Sequence, residues 1–201
     1  MKEQILLGTL LGDAFIGKLQ NRAKSYCIKW EHSLAQEEYA LWKAKNSLEN
    51  YSFCKRERLD SRTNCIYKSI ICYSIKDNYK HYRELFYKDK KEVSQEILNM
   101  LEPLGIAVWY MDDGNLYYNG NNCHLTLSVN GFNDDSVDKI IEYFKSTYNI
   151  HFKKTSRAIR ITSIKQVLLF ESYFKHHYHQ SMMYKTLTYN KEKHARNKKT
   201  R

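Results

Sequence analysis

The sequence predicts an α+β protein built as two pseudo-symmetric αββαββα halves forming a saddle of antiparallel sheets. Two observations carry this reading. A short apolar, small-residue helix pattern ending in a carboxylate occurs twice, as LLGTLLGDA over residues 6–14 and as IAVWYMDDG over residues 106–114. Each copy heads a stretch of similar length in which period-two alternation, the mark of a half-buried strand, is interleaved with helical spacing. A chain that repeats an apolar helix and its terminal carboxylate can set two carboxylates side by side across a pseudo-two-fold axis. With 201 residues, there is material for one sizeable core or two intimately packed halves.

The first half, residues 1–87, opens with a helix over 3–11, apolar at Ile5, Leu6, Leu10 and Leu11. Strands over 14–20 and 26–32 flank a polar turn. Ser33 is placed to cap a helix over 34–48, with Leu34, Tyr39, Leu41, Trp42 and Leu48 on its apolar side. A second hairpin, 51–59 with 65–75, turns over Asp60-Ser61-Arg62-Thr63-Asn64, and a short helix covers 78–87. The connector, residues 88–102, begins charged and continues as a helical turn or two, stopped by Pro103.

The second half, residues 103–190, starts on that proline, which suits a first helical position because its missing N–H would have no partner there. Strands over 115–118 and 124–129 flank Asn119-Gly120-Asn121-Asn122, a strong turn sequence. Asn133 or Asp134 caps a helix running to Tyr148. Strands over 151–155 and 158–162 and a helix over 164–177 complete the repeat, and residues 191–201 read as a basic, mobile tail.

Thirty-three Lys and Arg against 22 Asp and Glu give a net charge of +11. That balance suits a polyanion, nucleic acid ahead of an anionic membrane surface. The longest apolar runs are too short to span a bilayer, which also argues against reading Gly8-x-x-x-Gly12 as a membrane dimer face. Cys27, Cys54, Cys65, Cys72 and Cys123 form no C-x-x-C pair and no Cys/His zinc spacing, so they read as reduced intracellular thiols. The first motif begins almost at Met1, so no presequence is expected. The expected location is the compartment of synthesis: the mitochondrial matrix if organelle-encoded, otherwise a prokaryotic or phage-host cytoplasm.

The strands carry polar and basic residues on alternate positions. In 26–32 the apolar face is Tyr26, Ile28 and Trp30 and the other is Cys27, Lys29 and Glu31; in 52–59 one face holds Arg56 and Arg58. Such alternation is what any half-buried sheet shows. Four such hairpins on a basic chain point further, to a hydrogen-bonding surface that fits a DNA groove.

These residues resemble the LAGLIDADG homing endonuclease family, its monomeric two-motif group in particular, over nearly the whole chain. Leu6, Gly8 and Asp13 match the first motif at its first, third and eighth places, and Ala107, Asp113 and Gly114 match the second. The strings LLGDAFI, YCIKWE, YMDDG and QSMMYK support the match. The element order given above leans in part on this resemblance. Helices that cross closely need small residues at the contact. Gly8 and Gly12 share one helix face, and Ala107 is the small residue available on the second helix, where Val108 and Met111 depart from the family pattern.

The resemblance implies that Asp13 and Asp113 sit together at the helix ends. Asp112 competes with Asp113, which is preferred because it fills the motif's eighth place before Gly114. Adjacent carboxylates repel unless a cation joins them, and oxygen ligands beside phosphates favour Mg²⁺. The backbone carbonyls of Gly12 and Asp112 are implied as further ligands. Lys185 of QSMMYK and its counterpart Lys91, with Lys90 close behind, are implied to polarise water or the scissile phosphate. Glu31 matches a polar position near the reacting water; Lys153, Lys154 and Thr155 compete as its second-half counterpart. His176, His177 and His179 read as a solvated helix-end cluster.

The function so implied is a site-specific, Mg²⁺-dependent endodeoxyribonuclease, acting as a monomer on double-stranded DNA at a long asymmetric target. Double-strand cuts with short 3′ overhangs are implied with it. Candidates for DNA contact are Lys18, Gln20, Arg22, Lys24, Lys29, Arg56 and Arg58 in the first half, with Asn115, Tyr117, Lys153, Arg157 and Arg160 in the second. The rivals are an intron-RNA maturase and a non-catalytic DNA-binding regulator of the same fold. Retention of both acidic positions favours cleavage.

Overall fold

The computed structural model describes residues 1–18, 25–76, 79–88 and 90–199. The chain begins with α1 (Lys2–Leu11), β1 (Phe15–Lys18) and β2 (Tyr26–Ser33). A 3₁₀ turn at Leu34–Gln36 leads into α2 (Glu37–Ser47), then β3 (Ser52–Asp60), β4 (Cys65–Lys76) and α3 (Tyr79–Phe86). After a connecting helix α4 (Gln95–Asn99) the order repeats: α5 (Pro103–Asp113), β5 (Gly114–Tyr118), β6 (Cys123–Ser128), α6 (Asp134–Tyr148), β7 (Lys153–Lys154), β8 (Ala158–Ile161), α7 (Ile164–Phe174). Two 3₁₀ segments and α8 (Leu187–Lys199) follow. The strands form two antiparallel sheets, β1-β2-β4-β3 and β5-β6-β8-β7, so the two halves share one topology. Among the described residues no helix is long and apolar enough to cross a membrane.

Local chemistry explains the boundaries. Ser33 Oγ accepts from Ala35 N at 3.4 Å, and Asn133 Oδ1 accepts from Ser136 N at 2.8 Å, satisfying helix-start N–H groups that have no intrahelical acceptor. Pro103 occupies the first turn of α5. α6 ends on Asn149 in the left-handed region, φ 55°.

The two motif helices pack against each other, and missing side chains set how closely. A Cβ on Gly8 would lie 2.2 Å from the Gly105 carbonyl oxygen and 2.8 Å from Val108 Cβ; one on Gly12 would lie 2.5 Å from Asp112 Cβ. Gly8 and Gly12 therefore share the contact face. Ala107 does not oppose them. Gly105, Val108 and Asp112 are three and four apart and make one stripe on α5, and Ala107 falls off that stripe. Buried Gln4 adds a polar tie: its Nε2 donates to Met100 O and its Oε1 accepts from Glu102 N, both at 2.8 Å.

Each sheet turns one face to the helices. Ile16, Ile28, Trp30, Ile70 and Cys72 bury from the first, and Leu116, Leu125, Leu127, Ile159 and Ile161 from the second. Full burial of each large apolar side chain stabilises the fold by roughly 1.5–3 kcal/mol. Phe144, Phe170 and Phe174 fill the second half, with the Phe170 and Phe174 rings 4.7 Å apart, edge to face.

Residues 191–199 are not an irregular tail. They continue α8, whose start is anchored by buried Leu187, so a division after residue 190 falls inside that helix.

Candidate active site and nucleic-acid interface

Both motif helices end in carboxylates, and each end is met by a lysine. Lys91 Nζ donates to Leu11 O at 3.3 Å and Gly12 O at 3.1 Å. Lys185 Nζ donates to Met111 O and to Asp112 O, the latter at 3.2 Å. The acceptors are the two residues before Asp13 in one case and before Asp113 in the other. The carbonyls of Gly12 and Asp112, expected as metal ligands, thus already accept from lysine ammonium groups. These lysines also complement the partial negative charge of the helix C-termini. Lys91 makes the contact; Lys90 is exposed. Tyr110 OH donates to Lys185 O at 3.0 Å and fixes the backbone behind that lysine.

The charges at this centre are strained. Burial, then the charge of Asp112, pushes the Asp13 carboxyl up to about 6. Burial, then Asp13, pushes Asp113 up to about 7. Burial pulls Lys91 down to about 8 and lowers Lys185 as well. Partly desolvated carboxyls beside other carboxylates favour either a proton or a cation. Oxygen donors of this kind fit a divalent ion, and the residues present are suited to holding one.

Asp112 is placed differently from Asp113. Its side chain is fully buried and reaches past Gly12 into the first half. Lys43 Nζ on α2 donates to both its oxygens, at 2.7 and 2.8 Å, and Tyr39 OH donates to Oδ1 at 2.8 Å. Its Oδ2 also accepts from Asp13 N at 3.4 Å. Buried His32 on β2 completes the group, with Nε2 3.7 Å from Asp13 Oδ2 and 3.8 Å from Asp112 Oδ1. Sequence reasoning missed Tyr39, Lys43 and His32 as a site. The signals were there: His32 extends the apolar alternation of Ile28 and Trp30, and Lys43 lies four residues after Tyr39 on the buried side of α2.

Away from the centre, the open sheet faces collect many of the interface candidates. Lys29 stands opposite Tyr73, Arg56 opposite Ser69 and Arg58 opposite Tyr67, all on the face that carries Glu31. Glu31 accepts from Ser69 Oγ there. Lys18 is exposed at the end of β1 but pairs with Tyr26, on the other alternation. Gln20, Arg22 and Lys24 lie outside the described residues. In the second sheet Asn115 stands opposite Thr126, Thr126 opposite Arg160 and Arg160 opposite Lys153, with Tyr117 two residues along β5; these make one exposed face. Arg157 is exposed in the turn before β8.

The register also names a counterpart for Glu31. Ile16 pairs with Ile28, and Leu116 pairs with Leu125, so Glu31 corresponds to Ser128. Lys153, Lys154 and Thr155 are not at that place. Lys154 is held instead by Asp134 and Asp138, at 3.0 and 2.9 Å. The three histidines expected as a cluster divide: the His176 and His177 rings touch, whereas His179 Nδ1 pairs with Ser181 Oγ and its ring packs on Trp42.

Comparison with known proteins agrees with this architecture. Residues 3–172 match the sequence model of the LAGLIDADG DNA endonuclease family. The probable intron-encoded endonuclease 1 of Wickerhamomyces canadensis is 27% identical over 206 residues, covering 93% of this chain and 84% of that protein. The protein RecA of Mycolicibacterium chitae is 23% identical over 199 residues, covering 92% of this chain but 46% of that protein; the chain thus spans about half the length of such relatives. Among solved structures, the homing endonuclease I-WcaI bound to its DNA recognition sequence superposes with a TM-score of 0.79 at 21% identity, over 92% of this chain and 85% of that one, a likeness of fold. With most of its length matched, the chain belongs to the LAGLIDADG DNA endonuclease family.

Proposed function

We propose that this chain is a monomeric, site-specific endodeoxyribonuclease that makes metal-dependent double-strand cuts in DNA. One observation supports the reading above all others. Two lysine-capped acidic helix ends, alike in their offsets, each lead into a sheet whose open face carries basic residues. Two equivalent centres suit two strands of one duplex.

Each residue has work in this reading. Lys29, Arg56, Arg58, Lys153 and Arg160 contact phosphates and base edges; the phosphate contacts supply affinity and the base contacts selectivity. Asp13 and Asp113 would hold the divalent ion, Mg²⁺ in the simplest case. Bound there, such an ion would lower the pKa of water and stabilise the leaving oxygen of a phosphodiester. Lys91 and Lys185, with lowered proton affinity, sit where they can hold or release a proton beside each centre. Glu31 and Ser69 keep a hydrogen-bonded pair on the open face near the first centre.

The test is incubation with a randomised duplex library and Mg²⁺, followed by sequencing of the cut ends. A single long recognition sequence with staggered cuts is expected. A protein that left every duplex intact yet promoted intron-RNA splicing would overturn the nuclease reading in favour of a maturase.

A further inference from the structure

We propose that His32 turns the first acidic centre into an imidazole-bearing metal site, one that prefers Mn²⁺, Co²⁺ or Zn²⁺ to Mg²⁺ and has no equivalent in the second half. The inference rests on the nuclease reading only in taking Asp13 as a metal ligand.

The His32 side chain is 2% exposed, and its Nε2 has no hydrogen-bond partner among the described residues. Its tautomer follows from its neighbour. Gln36 Nε2 faces Met182 Sδ at 3.9 Å and Tyr184 OH at 2.8 Å; a thioether can only accept, so that end of the amide is the NH₂. Gln36 Oε1 therefore faces His32 Nδ1, at 3.0 Å, and the ring proton lies on Nδ1. Nε2 is left with a lone pair.

That lone pair points at two carboxylates, Asp13 Oδ2 at 3.7 Å and Asp112 Oδ1 at 3.8 Å. Donor atoms of the three residues lie within 4.8 Å of one another. No group among the described residues satisfies Nε2 at these distances. A cation does. Ligands on one ion with bonds of about 2.0–2.2 Å sit on the order of 3–3.5 Å apart, a few tenths of an ångström less than the separations here. Asp112 already accepts from Lys43 and Tyr39, so Asp13 and His32 are the ligands and Asp112 closes the third side.

Imidazole nitrogen favours Mn²⁺, Co²⁺ and Zn²⁺ over Mg²⁺, which prefers oxygen. The second half lacks the nitrogen. Counting from the matched pairs Ile16–Ile28 and Leu116–Leu125, His32 corresponds to buried Val129.

Electron spin-echo modulation of Mn²⁺ bound to the DNA-free protein tests this directly. Modulation from a coordinated ¹⁴N is expected in the wild type and absent in His32→Gln. Mn²⁺ affinity should fall about tenfold in that variant, with Mg²⁺ affinity little changed. Absence of nitrogen modulation in the wild type would overturn the proposal. So would its persistence in His32→Gln, because another nitrogen would then be the ligand, or in Asp13→Asn, because the ion would then be held without the Asp13 carboxylate. Should His32→Gln not fold, Asp13→Asn decides the matter. Cleavage plays no part in this readout: a chain that bound Mn²⁺ through nitrogen and cut no DNA would defeat the nuclease reading and leave the site standing.

Discussion

Lys43 and Asp112 form an ion pair in which both side chains are fully buried, and it joins α2 of the first half to the end of α5 in the second. A buried pair adds little over two well-packed apolar residues, but removing one partner leaves the other charged and unpaired, at about 3–5 kcal/mol. Lys43→Met is expected to lower the unfolding free energy in urea by that amount. A double-mutant cycle with Asp112→Asn should give a coupling of roughly 1–3 kcal/mol. A Lys43→Met loss below about 1 kcal/mol would mean that solvent reaches the carboxylate and the pair is not the brace described.

The matching offsets of Lys91 and Lys185 predict a strand-specific failure. Each lysine serves one helix end, so Lys91→Met and Lys185→Met should each slow one of the two cuts, by on the order of 10²-fold for a lost proton-transfer group. Supercoiled plasmid carrying the target should accumulate as nicked circle, with the surviving cut on opposite strands for the two variants. DNA affinity in Ca²⁺ should change little. Equal losses in binding and cleavage would reduce both lysines to phosphate contacts.

The raised carboxyls predict a pH dependence of the metal-free protein. Asp13 and Asp113 have an ordinary value of 3.8 and stand near 6 and 7 when folded, so the folded chain binds more protons than the unfolded one between those limits. Their contribution is present at low pH and is lost as pH rises through 6 to 7. His32, lowered from 6.5 to about 4, acts in the opposite direction below pH 6.5. Between pH 6.5 and 7.5 the Asp113 effect dominates; above that Lys91, lowered to about 8, acts in the opposite direction. Metal-free wild type should therefore lose melting temperature across that window, and Asp113→Asn should flatten the loss. Saturating Mg²⁺ should stabilise the wild type more at pH 8 than at pH 6, because protons no longer compete for the site. Equal stabilisation at both values would place the ion elsewhere. Asp113→Asn should also abolish double-strand cleavage while leaving binding in Ca²⁺ largely intact.

What the sequence made legible was local. Ser33 and Asn133 cap the helices they precede, Pro103 opens α5, and alternation placed Ile28 and Trp30 inside with Lys29 and Glu31 outside. The site needed contacts that no local pattern encodes. A lysine on a helix normally reaches solvent, and Lys43 points inward only because Asp112, 69 positions on, is buried opposite it. His32 continues an apolar alternation, and only its Nε2 facing Asp13 distinguishes it from a core histidine. Gly105, not Ala107, opposes Gly8 because the crossing of two helices selects the contact stripe. The C-terminal charges read as a solvated tail because Leu187, His194 and Tyr118 become neighbours of one structure only after β5 and α8 are in place.

That last helix carries a prediction of its own. α8 packs along β5, at the edge of the second sheet, where the His194 ring meets Tyr118 edge-on at 5.7 Å. A cleft of about 450 Å³ opens between them, lined by Tyr117, Tyr184, Tyr189, Asn190 and Lys193 and reaching Lys185. On the nuclease reading, a basic helix beside an aromatic- and amide-lined cleft extends the positive surface past the sheet and is expected to meet DNA flanking the cut site. A chain ending at Asn190 loses Lys191, Lys193, Arg196, Lys198, Lys199 and Arg201 but keeps Leu187, whose side chain is buried. Its DNA affinity should fall, and the slope of log K against log salt should shrink by about 0.9 for each lost phosphate contact. Helical content and urea midpoint should stay close to those of the full chain, apart from the helix removed. An unchanged salt slope would place α8 away from the duplex and assign its charge to solubility alone.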